Sequence, residues 1–177
     1  MKSRVITISA VSAALTAIFL ILGTYVEVID IFAIITSSVF IILPLYYKSY
    51  KGSILASIVG GVIALCCCIP KLLTPVFPAY FAFFGVYPII ACLMRDKGVN
   101  KVLRFFIGLI WCVAVFYGGY YFCVGVLGFT LSDLPQIIID YVLIFVGLIG
   151  IIFFVIYDRF IYLLKKFVDY YLNRIIK

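Results

Sequence analysis

Long apolar runs separated by short polar breaks dominate the chain, with little of the alternation that marks a half-buried strand. Six runs read out: Arg4–Gly23, Asp30–Tyr46, Gly52–Ile69, Val76–Met94, Phe105–Leu127 and Ile137–Tyr157. Each is roughly 17–23 residues, enough for a helix to cross a hydrocarbon layer of about 30 Å. Inside such a layer every backbone N–H and C=O must be satisfied within the segment, so the runs predict helices. The expected fold is an all-α integral membrane protein, a six-transmembrane-helix bundle over residues 1–157. The first run follows "MKSR" and resembles a signal peptide. Its length and the lack of a convincing cleavage site predict an uncleaved first helix instead. Pro88 falls inside the fourth run, where its missing N–H should kink the helix.

After the sixth run the pattern changes. In residues 158–177, "DRFIYLLKKFVDYYLNRIIK", Phe160, Leu164, Phe167, Val168, Tyr171 and Ile175 fall on one helical face, while Arg159, Lys166, Asn173 and Lys177 fall on another. This predicts a basic C-terminal amphipathic helix. It would lie on an anionic inner leaflet or dock a cytoplasmic partner.

Composition removes the soluble alternatives. Hydrophobic residues make up 67% of the chain and charged residues 12%, with a mean hydropathy of +1.33. That much apolar surface cannot be hidden in one soluble core of this size. The net charge of +7 raises the question of a nucleic-acid partner. The basic residues are scattered among the breaks, however, and topology accounts for them, so no nucleic acid is expected. With the N-terminus inside, all of the 14 Lys and Arg residues except Lys71 fall on the cytoplasmic side. The positive-inside rule therefore predicts a multi-pass protein of the cell membrane with cytoplasmic N- and C-termini.

The acids divide differently, with Glu27, Asp30, Asp133 and Asp140 toward the outer surface and Asp96, Asp158 and Asp169 inside. In "TLSDLPQIIID", Ser132 can cap the sixth helix and Pro135 is tolerated in its first turn. Asp133, Gln136 and Asp140 then share a face, with Asp140 about one turn inside the apolar zone, where an ionisable group points to function. An acid facing headgroups or pairing with Lys71 is the other reading. Tyr117, Tyr120 and Tyr121 in "FYGGYYF" are candidate aromatic-belt anchors or a stacking wall for a flat ligand. Gly118 and Gly119 would allow close approach, and Tyr80 is a possible further member. The adjacent Cys66, Cys67 and Cys68 point in three helical directions, so they cannot all serve one metal and read as packing residues. The chain has no histidine. No metal, cofactor or enzymatic motif is expected.

The first helix carries a stripe of small residues in "ISAVSAALTAIF": Ser9, Ala13 and Ala17, with Ala10 and Ala14 beside them. Close helix contact in lipid relies on such residues, whether the partner is another protein or this chain's own third or sixth helix. The stripe, the chain length, the six spans, the Gly/Ala/Ser-rich third helix after "YYKSYKGS" and the "FFGVYPII" segment together resemble the membrane-embedded substrate-binding (S) components of energy-coupling factor vitamin transporters. The resemblance covers residues 1–157. It departs in the turn before helix three, which lacks the family's frequent Gly-Pro pair, and in its longer tail.

That resemblance implies a division of labour. Ala10–Ala14 and Ala13–Ala17 would dock a transmembrane T scaffold subunit. Two cytoplasmic ATPases would supply energy, and this chain would capture a small micronutrient from outside. Carried over by position, its site would draw on Glu27, Tyr80, Tyr117, Tyr120, Tyr121, Asp133, Gln136 and Asp140. The acids favour a neutral or cationic ligand and the tyrosines a flat heteroaromatic one. A self-sufficient small transporter or channel and a non-transporting membrane adaptor are the competing readings. The first would need a polar path across the membrane, which no midplane charge in spans two to five provides.

Overall fold

The computed structural model describes residues 2–71, 74–128 and 136–175, and among these there is no strand. Helix α1 is Lys2–Tyr25. After a short 3₁₀ turn, α2 covers Asp30–Ile42 and tightens into a 3₁₀ segment, Leu43–Tyr47. The left-handed Lys48 (φ 53°) ends it, and the Ser49 hydroxyl caps α3, Tyr50–Cys67, by accepting from Gly52 N–H. The fourth span is broken into α4, Val76–Ala79, a π-helical turn, Tyr80–Phe84, and α5, Tyr87–Asp96. Helix α6 is Lys101–Gly125 and α7 is Gln136–Ile175.

Among the described residues six helical segments are long and apolar enough to cross a membrane: Ser3–Tyr25, Asp30–Tyr47, Tyr50–Cys67, Val76–Asp96, Lys101–Gly125 and Tyr141–Tyr171. This is the build of a multi-pass membrane protein. The spans alternate in direction, so one end of the bundle gathers Arg4, Lys48, Lys51, Arg95, Lys97, Lys101 and Arg104. It is the basic end of the bundle. The far end carries Tyr25, whose ring lies 5.6 Å from the Lys71 ammonium.

Helices α1, α2 and α3 form a tight unit through small residues. A Cβ on Gly60 would come within 2.8 Å of the Ala13 carbonyl and 2.9 Å of Thr16 Cβ, so α3 approaches the α1 backbone as closely as glycine permits. The Thr16 hydroxyl in turn donates to Ser37 O on α2 at 3.3 Å. In lipid, where apolar burial gives little drive for association, this close backbone contact is what holds helices together.

The broken fourth span reflects its prolines. Pro88 has no N–H to continue a helix through Phe84 O, and α5 restarts with Pro88 in its first turn. Upstream, Gly85 N–H reaches back five residues to Tyr80 O at 2.7 Å and Val86 N–H takes Phe83 O. The Ala82 carbonyl accepts instead from the Trp111 indole N–H of α6 at 2.9 Å.

Aromatic rings close the centre. Phe83 stacks on Tyr87, with centroids 4.9 Å apart, and Phe153 on Tyr157 at 5.7 Å. Phe84 meets both Phe153 and Tyr157 edge-on. The Tyr157 hydroxyl donates to Ser38 Oγ at 2.9 Å, which ties α7 to α2. Outside this core Leu55, Ile58, Ile110, Ile144 and Ile152 are exposed on α3, α6 and α7, as lipid-facing side chains would be.

The C-terminal segment is continuous with the sixth span, since α7 runs unbroken from Gln136 to Ile175. No Gly or Pro interrupts the sequence after Gly150. The extension is also pinned to α5: Lys165 pairs with Asp96 at 3.0 Å, and Ile161 is fully buried. Forty residues make a rod of about 60 Å, twice the hydrocarbon thickness, so its last turns stand beyond the bilayer.

Candidate functional site

The far-end halves of α4 and α6 are built from small residues. Ala79 and Ala82 face Ala114, Gly118 and Gly119, and between them a groove of about 510 Å³ opens. Pro75 and Pro78 stiffen its upper wall, Phe122 and Cys123 extend it along α6, and Trp111 forms its floor. A Cβ on Gly118 or Gly119 would meet nothing within 4 Å among the described residues, so these glycines do not serve packing against any described helix. They leave free volume where two backbones diverge. The walls are almost wholly apolar. The Trp111 indole is tied to the π-helical turn of the fourth span by its hydrogen bond to Ala82 O, and this fixes the floor of the groove.

A volume of several hundred Å³ with an aromatic floor is the size of a small-molecule site. Its chemistry is shape and stacking, with the free Cys123 thiol as the one reactive group among the described lining residues. Among the described residues no cluster of His, Cys, Asp or Glu could hold a metal. Cys66 and Cys67 are exposed and Cys68 is buried, each as a free thiol.

The candidate residues read from the sequence distribute unevenly around this groove. Tyr80 is not part of it. It is fully buried, its hydroxyl donates to Ser57 O at 3.0 Å, and its ring fills the gap beside Gly61 and Gly85. It cross-ties α3 to the π-helical turn of the fourth span, and spacing along the chain could not reveal that its face turns inward. Tyr117 also points away, since its hydroxyl donates to Leu143 O at 2.9 Å and touches Gly147 on α7. Tyr120 and Tyr121 pack edge to face, with centroids 5.4 Å apart, and Tyr121 is exposed. The three tyrosines therefore do not form one wall. Asp133, with Ser132 and Pro135, lies outside the described residues. So do the side chains of Glu27, Gln136 and Asp140.

The small-residue stripe divides as well. Ala13 and Ala17 are 6% and 3% exposed, packed largely within the chain. Ala10 and Ala14 are exposed on the outer flank of α1. A 3.6-residue period with adjacent small positions marks two neighbouring faces, and only the third helix's position decides which one it covers.

Sequence reasoning passed over Trp111, Ala82 and Ala114. A signal was present: Ala114 and Gly118 lie four apart on α6, and Trp111 is the chain's single tryptophan. No known family, characterised protein or solved structure shows significant similarity to this chain.

Proposed function

We propose that this chain is a membrane-embedded substrate-binding subunit of an energy-coupling-factor type importer. It captures a small, flat, neutral or cationic micronutrient from outside and relies on a separate T subunit and ATPases for energy. One observation carries the reading. A groove of ligand size with glycines in its wall opens at the far end of a bundle whose centre is sealed by stacked aromatic rings. Such a molecule can hold a ligand at one face, and in this reading release would come from reorientation driven by another protein. The far end would face outside, with both termini cytoplasmic. The exposed Ala10–Ala14 flank is the part of the stripe still open to a T subunit. The groove's apolar walls favour stacking over ion pairing. Any charge preference would come from Glu27, Asp133 and Asp140.

The test is mass spectrometry of small molecules retained by the purified protein, followed by uptake assays with and without the T subunit and ATPases. A retained heteroaromatic compound and ATPase-dependent uptake are expected. Uptake by vesicles containing this chain alone would overturn the reading in favour of a self-sufficient transporter. The adaptor reading draws on one observation, the exposed Leu163, Phe167 and Tyr170 on the α7 extension. It takes over if no small molecule binds while the extension captures a protein.

A further inference from the structure

At the basic end, α5, α6 and α7 enclose a second cavity of about 480 Å³. Four cations converge on it: Arg95 from α5, Lys101 and Arg104 from α6, and Arg159 from α7. Asp158 is the only carboxylate among its lining residues. That carboxylate is already engaged, because the Tyr87 hydroxyl donates to its Oδ1 at 2.6 Å. The Arg95 Nη2 reaches the same oxygen at only 3.5 Å.

Arg95 is the centre of the arrangement. Its guanidinium lies 4.8 Å from the centroid of the Tyr162 ring, which holds it in place from one side. Its Nε and Nη1 are buried and have no hydrogen-bond partner among the described residues. A guanidinium that has left water with most of its donors unmet is costly, and such a group calls for a missing anion or water. Lys101 and Arg104 sharpen the point. Both stand in the first turn of α6, where the helix dipole disfavours cations. The general bias of basic residues to one end explains their sign. It does not explain why residues from three helices share one cavity around a buried arginine.

We propose that this cavity binds a phosphate-bearing anion. Several N–H donors from arginines and a lysine around one volume suit the tetrahedral oxygens of phosphate. The remaining wall is apolar: Phe105 and Val155 border the cavity, and Val155 is exposed toward the lipid-facing side of α7. A phosphate attached to acyl chains would satisfy both walls at once, as basic pockets between membrane helices do for acidic headgroups. A soluble phosphate would use the cations alone. The site is separate from the far-end groove and does not depend on the importer reading.

The experiment uses the full-length protein, stripped of lipid in a neutral detergent and offered phosphatidylglycerol, phosphatidylcholine or inorganic phosphate. Native mass spectrometry counts retained lipid, and thermal melting reads stabilisation. Phosphatidylglycerol is expected to be retained in preference to phosphatidylcholine and to raise the melting temperature. Arg95→Gln should abolish that preference. Because that variant also loosens the Asp158 and Tyr162 contacts, the double variant Lys101→Gln/Arg104→Gln provides a second arm on less buried side chains, with a loss of about tenfold expected. Lys51→Gln, at the same end but away from the cavity, should keep the preference. Stabilisation by inorganic phosphate that the double variant loses, without lipid preference, would assign the same site to a soluble anion. Equal retention of both lipids with no phosphate effect would overturn the proposal. So would a preference that survives both cavity variants or is lost equally in Lys51→Gln.

Discussion

Glycines of identical appearance in the sequence have opposite roles, and substitution separates them. At Gly60 a side chain would collide with the Ala13 carbonyl and Thr16, so Gly60→Leu should force α1 and α3 apart. Overpacking of this kind costs about 1–3 kcal/mol or more, read as a lowered melting temperature in detergent. At Gly118 a side chain meets open volume. Gly118→Leu is expected to leave the melting temperature within a degree or two of wild type, on the order of a neutral surface change. It should nonetheless abolish retention of the small molecule by filling the groove. Tyr80→Phe tests the reassignment of that residue. Losing its hydrogen bond to Ser57 O should destabilise the protein by about 1 kcal/mol without changing ligand retention. These distinctions were not legible from residue type. Gly and Ala mark close approach or empty space alike, and only the neighbour across the gap says which.

Among the helices, α1 and the fourth span repay attention for different reasons. The stripe on α1 was visible as a period, but two of its faces carry alanine and the chain itself covers one. Ala13→Leu should therefore reduce stability. Ala14→Leu should leave it intact and, if the importer reading holds, block co-purification with a T subunit; survival of co-purification would move the docking face elsewhere. The break in the fourth span was announced by Pro88, because a missing donor acts wherever the fold places it. Its consequence was not announced. The freed Ala82 carbonyl is met by Trp111 from another helix, which fixes the floor of the groove. Trp111→Phe is expected to cost about 1–3 kcal/mol through the unsatisfied carbonyl. It should also weaken ligand retention, since the floor would no longer be anchored. Helix α7 makes the same point in reverse. Its apolar and basic faces were readable, but the tail's attachment to α5 through Asp158 and Lys165 depends on residues about 70 positions earlier in the chain.

The assembled bundle has a basic end and a far end, and their disposition across the membrane can be measured. In a cysteine-free background, single cysteines at Lys71 and Tyr170 should react with membrane-impermeant maleimide from opposite sides of intact cells, Lys71→Cys from outside and Tyr170→Cys only after permeabilisation. The reverse pattern would invert the bundle and place the groove in the cytoplasm. The apolar run lengths by themselves determined that the chain is helical and that it has six membrane-length segments, though not that the sixth continues unbroken past Tyr157. Those properties follow from backbone hydrogen bonding and hydropathy, which act locally along the chain. Which small residues are buried, which tyrosines cross-tie helices, where the groove opens and which three cations join Arg95 were decided only by tertiary packing. Each depends on the rotation of one helix against another, set by side chains far apart in sequence that no local period encodes.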